Sequence, residues 1–398
     1  MVKCIIPFAH RLSKLSLHLT SPELLIPFLT LPSGTMPLLK TLILLINSNV
    51  FNIRLDLPPV KVFDGTPQLK TVILGMSSPI ISIPKRFPLA WSQLTCLKFE
   101  EPIRLRTFSE IICQCTQLEV AAFHISLHLG FFEEDTDDVD ELENSDNGDY
   151  NAPDYVMQDD NDDTSILIPQ ELLTFSHLKS LRLAFTGRRD FDQLLTNAFA
   201  MLCFPTVESL ELIGGGATNP YPLANIMASI FPSLPSLRHL SLAYMDSQIE
   251  PRSLLTLCPE LESLALRFSG TVDGLALLRS CHDITFKHLT SFALGVDLTY
   301  SSILDDYVEE FCACIEAWLY QCPHCKQFQK AYMHICEDKD EGRYSDNFVS
   351  AQEASKFLEY METRLMRDVL VPGAFELHTK QLESYDELEN GYNPYKFI

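Results

Sequence analysis

The sequence predicts an α/β fold: a solenoid with a parallel β-sheet on its concave side, helices on its convex side and a helical C-terminal cap. Three observations carry that expectation. An apolar pattern of the form L-x-x-L-x-L, with conservative apolar replacements, recurs ten times in one register. Each copy ends in the period-two alternation of a strand whose leucines are buried while the residues between them face out. Helix-forming stretches and prolines separate the copies, as a right-handed crossover between parallel strands requires.

The first five copies are Leu12/Leu15/Leu17, Leu39/Leu42/Leu44, Leu69/Val72/Leu74, Leu94/Leu97/Phe99 and Leu118/Ala121/Phe123. The pattern resumes at Leu178/Leu181/Leu183, Val207/Leu210/Leu212, Leu237/Leu240/Leu242, Leu261/Leu264/Leu266 and Leu289/Phe292/Leu294. First positions are separated by 27, 30, 25, 24, 60, 29, 30, 24 and 28 residues. Apart from the step of 60, these are the spacings of a leucine-rich-repeat solenoid, in which each unit buries its apolar face only by stacking on its neighbours.

Helical stretches are expected over Phe108–Cys115, Asp190–Cys203, Leu223–Phe231, Pro251–Leu257 and Leu275–Cys281, often followed by Phe-Pro, Cys-Pro or Leu-Pro. Proline suits the turn into the next strand because it has no backbone N–H to give a helix. An asparagine near the strand end occurs only at Asn47, so long repeats with convex helices fit better than the compact, asparagine-laddered kind. Leu304–Tyr320 and Ala351–Leu370 read as longer amphipathic helices. Asp305, Asp306, Glu309 and Glu310 in the first turns of the former suit the positive end of the helix dipole. The domain plan is therefore repeats one to five over 1–130, an acidic disordered insertion over 131–165, and repeats six to ten over 166–300. A degenerate repeat with the helical cap over 301–371 and an acidic tail over 372–398 complete it.

Charge is concentrated in the insertion. Between Glu133 and Asp163 stand fifteen Asp or Glu and no Lys or Arg, which accounts for −15 of the chain's −23. So acidic a chain is a poor match for nucleic acid or an anionic membrane, both of which call for clustered Lys and Arg. Apolar residues make up 46% of the sequence, enough for a packed core. The start is too short and too broken by Pro7 for a secretory signal, no apolar run approaches the ~20 residues of a membrane span, and no Asn-x-Ser/Thr acceptor occurs. An intracellular protein, cytoplasmic or nuclear, with twelve reduced cysteines is expected.

The phrase His10-Arg-Leu-Ser-Lys-Leu-Ser-Leu-His-Leu19, the Pro-x-Leu phrases before Leu242 and Leu266, and the repeat length together resemble the repeat region of fungal, basidiomycete-type F-box/leucine-rich-repeat proteins. The resemblance spans most of residues 10–330 and is one of style, with no single diagnostic motif. It implies a repeat array that holds the substrate of a ubiquitin ligase, with a Skp1-type adaptor as partner where an F-box is present. No F-box is evident. Ser21-Pro-Glu-Leu-Leu25 echoes its opening, but Pro27 interrupts the helix that should follow, and Pro169–Leu173 repeats the phrase before another repeat, so it reads as a linker.

Other motifs invite chemistry. Cys312, Cys314, Cys322 and Cys325, with His324, His334 and Cys336, suggest zinc through a C-x-x-C pair. Yet Cys322-Pro-His-Cys325 superposes on Cys258-Pro-Glu-Leu261, which places Cys325 and Phe328 at core positions of a degenerate last repeat, with Lys330 missing the third. Glu143, Ser145, Asn147, Gly148, Asp149, Asn151 and Asp154 imitate a calcium loop with the wrong residues at its first and last positions. Gly214-Gly-Gly216 lacks the Lys-Ser/Thr of a phosphate loop and reads as a flexible turn.

With no catalytic constellation, metal site or cofactor indicated, the expected function is a non-catalytic protein–protein interaction scaffold. A stand-alone scaffold unrelated to ubiquitin and a zinc-binding protein through Cys312–Cys336 are the alternatives. The partner, an unidentified protein, is expected on the concave face. The outward positions between core leucines are mostly small hydroxyls, and Lys98, Arg182, Glu211, His239 and Ser241 are the candidate contact residues.

Overall fold

A computed structural model describes residues 6–20, 22–29, 31–46, 61–76, 89–127, 171–186, 192–216, 219–220, 224–243, 258, 260–269, 291–298, 328–336 and 376–382, and single positions between 279 and 363. Twelve strands follow one another in chain order across one sheet, each parallel to the next. They are β1 (Lys14–Leu19), β2 (Thr41–Ile46), β3 (Thr71–Met76), β4 (Cys96–Phe99), β5 (Val120–Ser126) and β6 (Ser180–Thr186), then β7 (Ser209–Gly216), β8 (His239–Ala243), β9 (Ser263–Ser269), β10 (Ser291–Leu298), β11 (Phe328–Cys336) and β12 (Glu376–Leu382). Helices α1 (Leu105–Ile112), α2 (Asp192–Ala200) and α3 (Ala224–Ile230) lie in the connections. The fold is α/β, built on a large parallel sheet.

The apolar pattern sets the register. Leu15, Leu42, Val72, Leu97, Ala121, Leu181, Leu210, Leu240, Leu264 and Phe292 are successive cross-strand partners, so the second position of every copy falls on one ladder. Nine of them, from Leu15 to Leu264, are buried. A slip of one residue would carry a whole strand's leucines to the opposite face, and that cost fixes the pairing.

Before six of the strands the chain makes the same turn. The amide N–H of Leu39, Leu69, Leu94, Val207, Leu237 and Leu261 donates to the carbonyl three residues earlier, on Met36, Thr66, Trp91, Phe204, Leu234 and Cys258. Pro37, Pro67, Pro205 and Pro235 sit second in these turns, where a fixed φ near −65° is an advantage and no N–H is needed. The turn's first residue is a core anchor, buried whether it is Met36, Thr66, Trp91, Cys115, Phe204, Leu234 or Cys258. One carbonyl then accepts two consecutive N–H groups from the next copy: Ser13 from Lys40 and Thr41, Lys40 from Lys70 and Thr71, Glu119 from Lys179 and Ser180, Glu208 from Arg238 and His239.

The 60-residue step between Leu118 and Leu178 is a single strand step. β5 and β6 pair directly over their full length, from Val120↔Ser180 to Ser126↔Thr186. An aromatic chain crosses the same place on the inner side. Phe99 stacks on Phe123 at 5.7 Å, and Phe108 of α1 meets Phe123 edge-on at 4.9 Å and Phe199 of α2 at 5.6 Å. Phe199 in turn meets Phe185 of β6 at 6.0 Å. Buried aromatic surface thus ties the two halves together.

Three expectations are adjusted. The first helix begins at Leu105, three residues before its expected start, because Leu105, Phe108 and Ile112 form the buried stripe. Gly214–Gly216 is not a turn but the end of β7: Gly214 pairs with Phe185, and Gly215 and Gly216 pair antiparallel with Pro220 and Asn219. Pro27 does not end a helix; it lies in the first turn of a one-turn helix, Ile26–Leu29, where its missing N–H costs nothing.

At the far end Phe328 is the partner of Phe292, after which the register shifts so that Ala331, not Lys330, faces Leu294. The bulge resolves the mismatch at Lys330 by inserting one residue. Residues 376–382, within the segment read as an acidic tail, form β12 on β11. Residues 306, 309–313 and 316, and 356, 359, 360 and 363, are helical. The expected helix over Pro251–Leu257, the insertion over 131–165 with its calcium-like spacing, and Asn47 lie outside the described residues.

Candidate functional site

The inner face of the sheet is closed by the core, so the side chains available for recognition are those alternating with the leucines. Three ladders of such residues cross the outer face. The first runs Lys14, Thr41, Thr71, Cys96, Val120, Ser180, Ser209, His239, Ser263. The middle one runs Ser16, Ile43, Ile73, Lys98, Ala122, Arg182, Glu211, Ser241, Ala265, and the third includes His18, Leu45, Gly75, His124, Ala184, Ile213, Ala243 and Arg267.

Four of the five candidate contact residues therefore share one ladder. Arg182, Glu211 and Ser241 occupy consecutive strands, Lys98 lies two strands from Arg182 across Ala122, and His239 is exposed on the neighbouring ladder between Ser209 and Ser263. Arg182 Nε is 3.3 Å from Glu211 Oε2. Burial pushes the Glu211 carboxyl above its ordinary range, and the Arg182 charge pulls it back. Two polar atoms of this face, Ser241 Oγ and His124 Nε2, are buried and find no hydrogen-bond partner among the described residues.

His124, absent from the candidate residues, is the most perturbed titratable group of the face. Burial lowers its pKa to about 4, the Arg182 charge adds to the effect, and a hydrogen bond with the Glu100 backbone opposes it. Sequence reasoning stopped at the third apolar position of each copy, Phe123 here, whereas β5 continues through His124 to Ile125, which is fully buried. The extra alternating apolar residue was the available signal. Arg267 follows Leu266 in the same way, with its Cα paired to Ala243 and Gly295, and is buried.

On the outer face the middle ladder changes character along the sheet. Ile43 and Ile73, with Leu45 beside them, form a partly exposed aliphatic patch on β2 and β3. Lys98 follows directly on β4 and Arg182 two strands later. Gly75 makes room for Leu45 and Glu100 on this face, since a Cβ there would stand 2.7 Å from Leu45 Cδ2 and 3.2 Å from Glu100 Cβ.

Cys115, Cys258 and Cys312 are buried in the core and Cys113 packs against it, while Cys96 and Cys203 are half-buried. Burial raises the thiol of Cys115 to about 12 and that of Cys258 to about 11, and Cys96, Cys113, Cys115, Cys203, Cys258 and Cys312 are all free thiols. Among the described residues no group of three His, Cys, Asp or Glu could hold a metal ion; Cys314, Cys322, His324 and Cys325 of the zinc-like pattern lie outside them. No described helix is long and apolar enough to cross a membrane. No model of a known protein family matches the chain, and no curated protein matches it.

Proposed function

We propose that the chain is a leucine-rich-repeat solenoid acting as a non-catalytic protein-binding scaffold. The outer, concave side of its sheet takes the partner, in the manner of the substrate-recognition repeats of the fungal F-box adaptors that its sequence resembles. The observation that carries this reading is the middle ladder: Lys98, Arg182, Glu211 and Ser241 stand in line on one face. The parallel sheet, the recurrent proline turn and the shared register support the repeat reading, since each strand's leucines are covered only by the neighbouring copies.

The test is affinity capture of the tagged full chain from its native cells with mass spectrometry, alongside a chain lacking residues 131–165. The same partner should be captured by both chains and lost when Ser241→Arg and Arg182→Glu are introduced on the outer face. A partner that survives both substitutions would refute the assignment of the face. Co-capture of a Skp1-type adaptor identifies the ligase branch, and capture of the partner without one identifies a scaffold unrelated to ubiquitin.

A further inference from the structure

Resting on the scaffold reading above, the geometry points to a particular partner chemistry: an extended protein segment that places an aliphatic side chain over Ile43 and Ile73 and carboxylates at Lys98 and Arg182. The middle ladder runs Ile43, Ile73, Lys98, Ala122, Arg182 over five adjacent strands. Neighbouring strands are about 4.8 Å apart, so Ile43 to Lys98 and Lys98 to Arg182 are each about 10 Å, or about three residues of extended chain. In a polyproline-II conformation, which has three residues per turn and rises about 3.1 Å per residue, every third side chain lies on one face, so an aliphatic residue followed at three-residue intervals by two acidic residues matches all three stations.

Each station has its own physical reason. Ile43, Leu45 and Ile73 are partly exposed on a sheet face otherwise rich in Ser and Thr, and covering them removes apolar surface from water. The small Ala122 stands between Lys98 and Arg182, with a cation on the strand to either side. Arg182 is ion-paired with Glu211, Nε to Oε2 3.3 Å, and its side chain stays 37% exposed, which leaves surface for a second carboxylate. The chain has 53 acidic against 30 basic residues, so two cations in line beside an aliphatic patch stand out on this face. Two separated cations beside an aliphatic surface suit a peptide better than a continuous polyphosphate, which the net charge of −23 repels.

The experiment uses the full chain and a fluorescent peptide of about twelve residues carrying Leu-Gly-Ser-Asp-Gly-Ser-Asp, read by anisotropy. Against it stand the same peptide with Asn for Asp, the same peptide with Ser for Leu, and an oligouridine. Binding at least about tenfold tighter than either altered peptide is expected, weakening several-fold as salt screens the pairs. Lys98→Glu and Ile73→Thr should each weaken it about tenfold, while Lys179→Glu, outside the outer face, should leave it unchanged. Equal binding of the Asn peptide, indifference to Lys98→Glu, or displacement by oligouridine would each overturn the proposal.

Carbodiimide cross-linking adds a positional readout, with Lys98 joined to the peptide's carboxylates as the expected product. Cross-links from Lys98 to Glu133–Asp163 instead would make the chain's own acidic residues the occupant and overturn the assignment to a partner. Captured proteins that cross-link to the outer face through segments without acidic residues would sink this inference and leave the scaffold reading standing. Cross-links confined to α1–α3 would sink the scaffold reading itself.

Discussion

Acidification should destabilise this fold through His124, and the size of the effect follows from one pKa. In the unfolded chain the imidazole takes a proton near pH 6.5, but in the fold it resists until about pH 4, because burial and the Arg182 charge both oppose the imidazolium. Between those values the unfolded state holds more protons, so stability falls as pH falls. A shift from 6.5 to about 4, at about 1.4 kcal/mol per unit, has a limit of about 3.4 kcal/mol; about 2 kcal/mol of it is lost between pH 7 and pH 5. Glu211 and Glu101 act in the opposite sense, since burial raises both carboxyls and their protonation favours the folded state. The comparison that isolates His124 is therefore between wild type and His124→Asn, whose amide replaces the imidazole N–H and carries no titrating group. Urea unfolding followed by circular dichroism at pH 7, 6 and 5 gives the two slopes. The variant should lose about 2 kcal/mol less than wild type from pH 7 to pH 5. Parallel slopes, or an NMR titration of His124 centred near 6.5, would refute the burial argument.

Other consequences are local. Leu212→Ala removes a fully buried side chain from β7 and should cost about 2–5 kcal/mol in denaturant unfolding; a loss below about 1 kcal/mol would mean the strand's leucines are not core. Phe108→Ala deletes the ring joining Phe123 to Phe199 and should cost about 3–5 kcal/mol, with unfolding that splits into two transitions if this ring is what couples the halves. Cys115, buried and with its thiol raised to about 12, should be alkylated by iodoacetamide at pH 8 at least about a hundredfold more slowly in the native chain than in urea. Native labelling at the rate of a free thiol would contradict the position assigned to it.

Much of the sheet was legible because each copy of the repeat encodes its register in the alternation of leucines, and five of the ten encode it again in a proline two residues before the first leucine position. Leu15 through Phe292 fall on one ladder as the spacing implies, and the cysteine at Cys258 takes the same buried turn position as Leu234 and Phe204. Those are local properties, set by steric preference and by which face of a strand must be dry. The candidate residues Lys98, Arg182, Glu211 and Ser241 could be placed on one ladder for the same reason.

What the sequence alone left undecided depends on distances between residues far apart in the chain. The 60-residue gap is compatible with a missing strand or with none; only the pairing of Val120–Ser126 with Ser180–Thr186 makes it none. Nothing local announces that Glu376–Leu382 pairs with β11, or that a bulge after Phe292 brings Ala331 into line. His124 reads as one more histidine until burial and Arg182, 58 positions away in sequence, act on the same ring. The periodic apolar pattern by itself determined which face of each strand is dry. Tertiary packing alone decided which polar groups meet on the other face and how far from water they are held, because desolvation and charge act through space rather than along the chain.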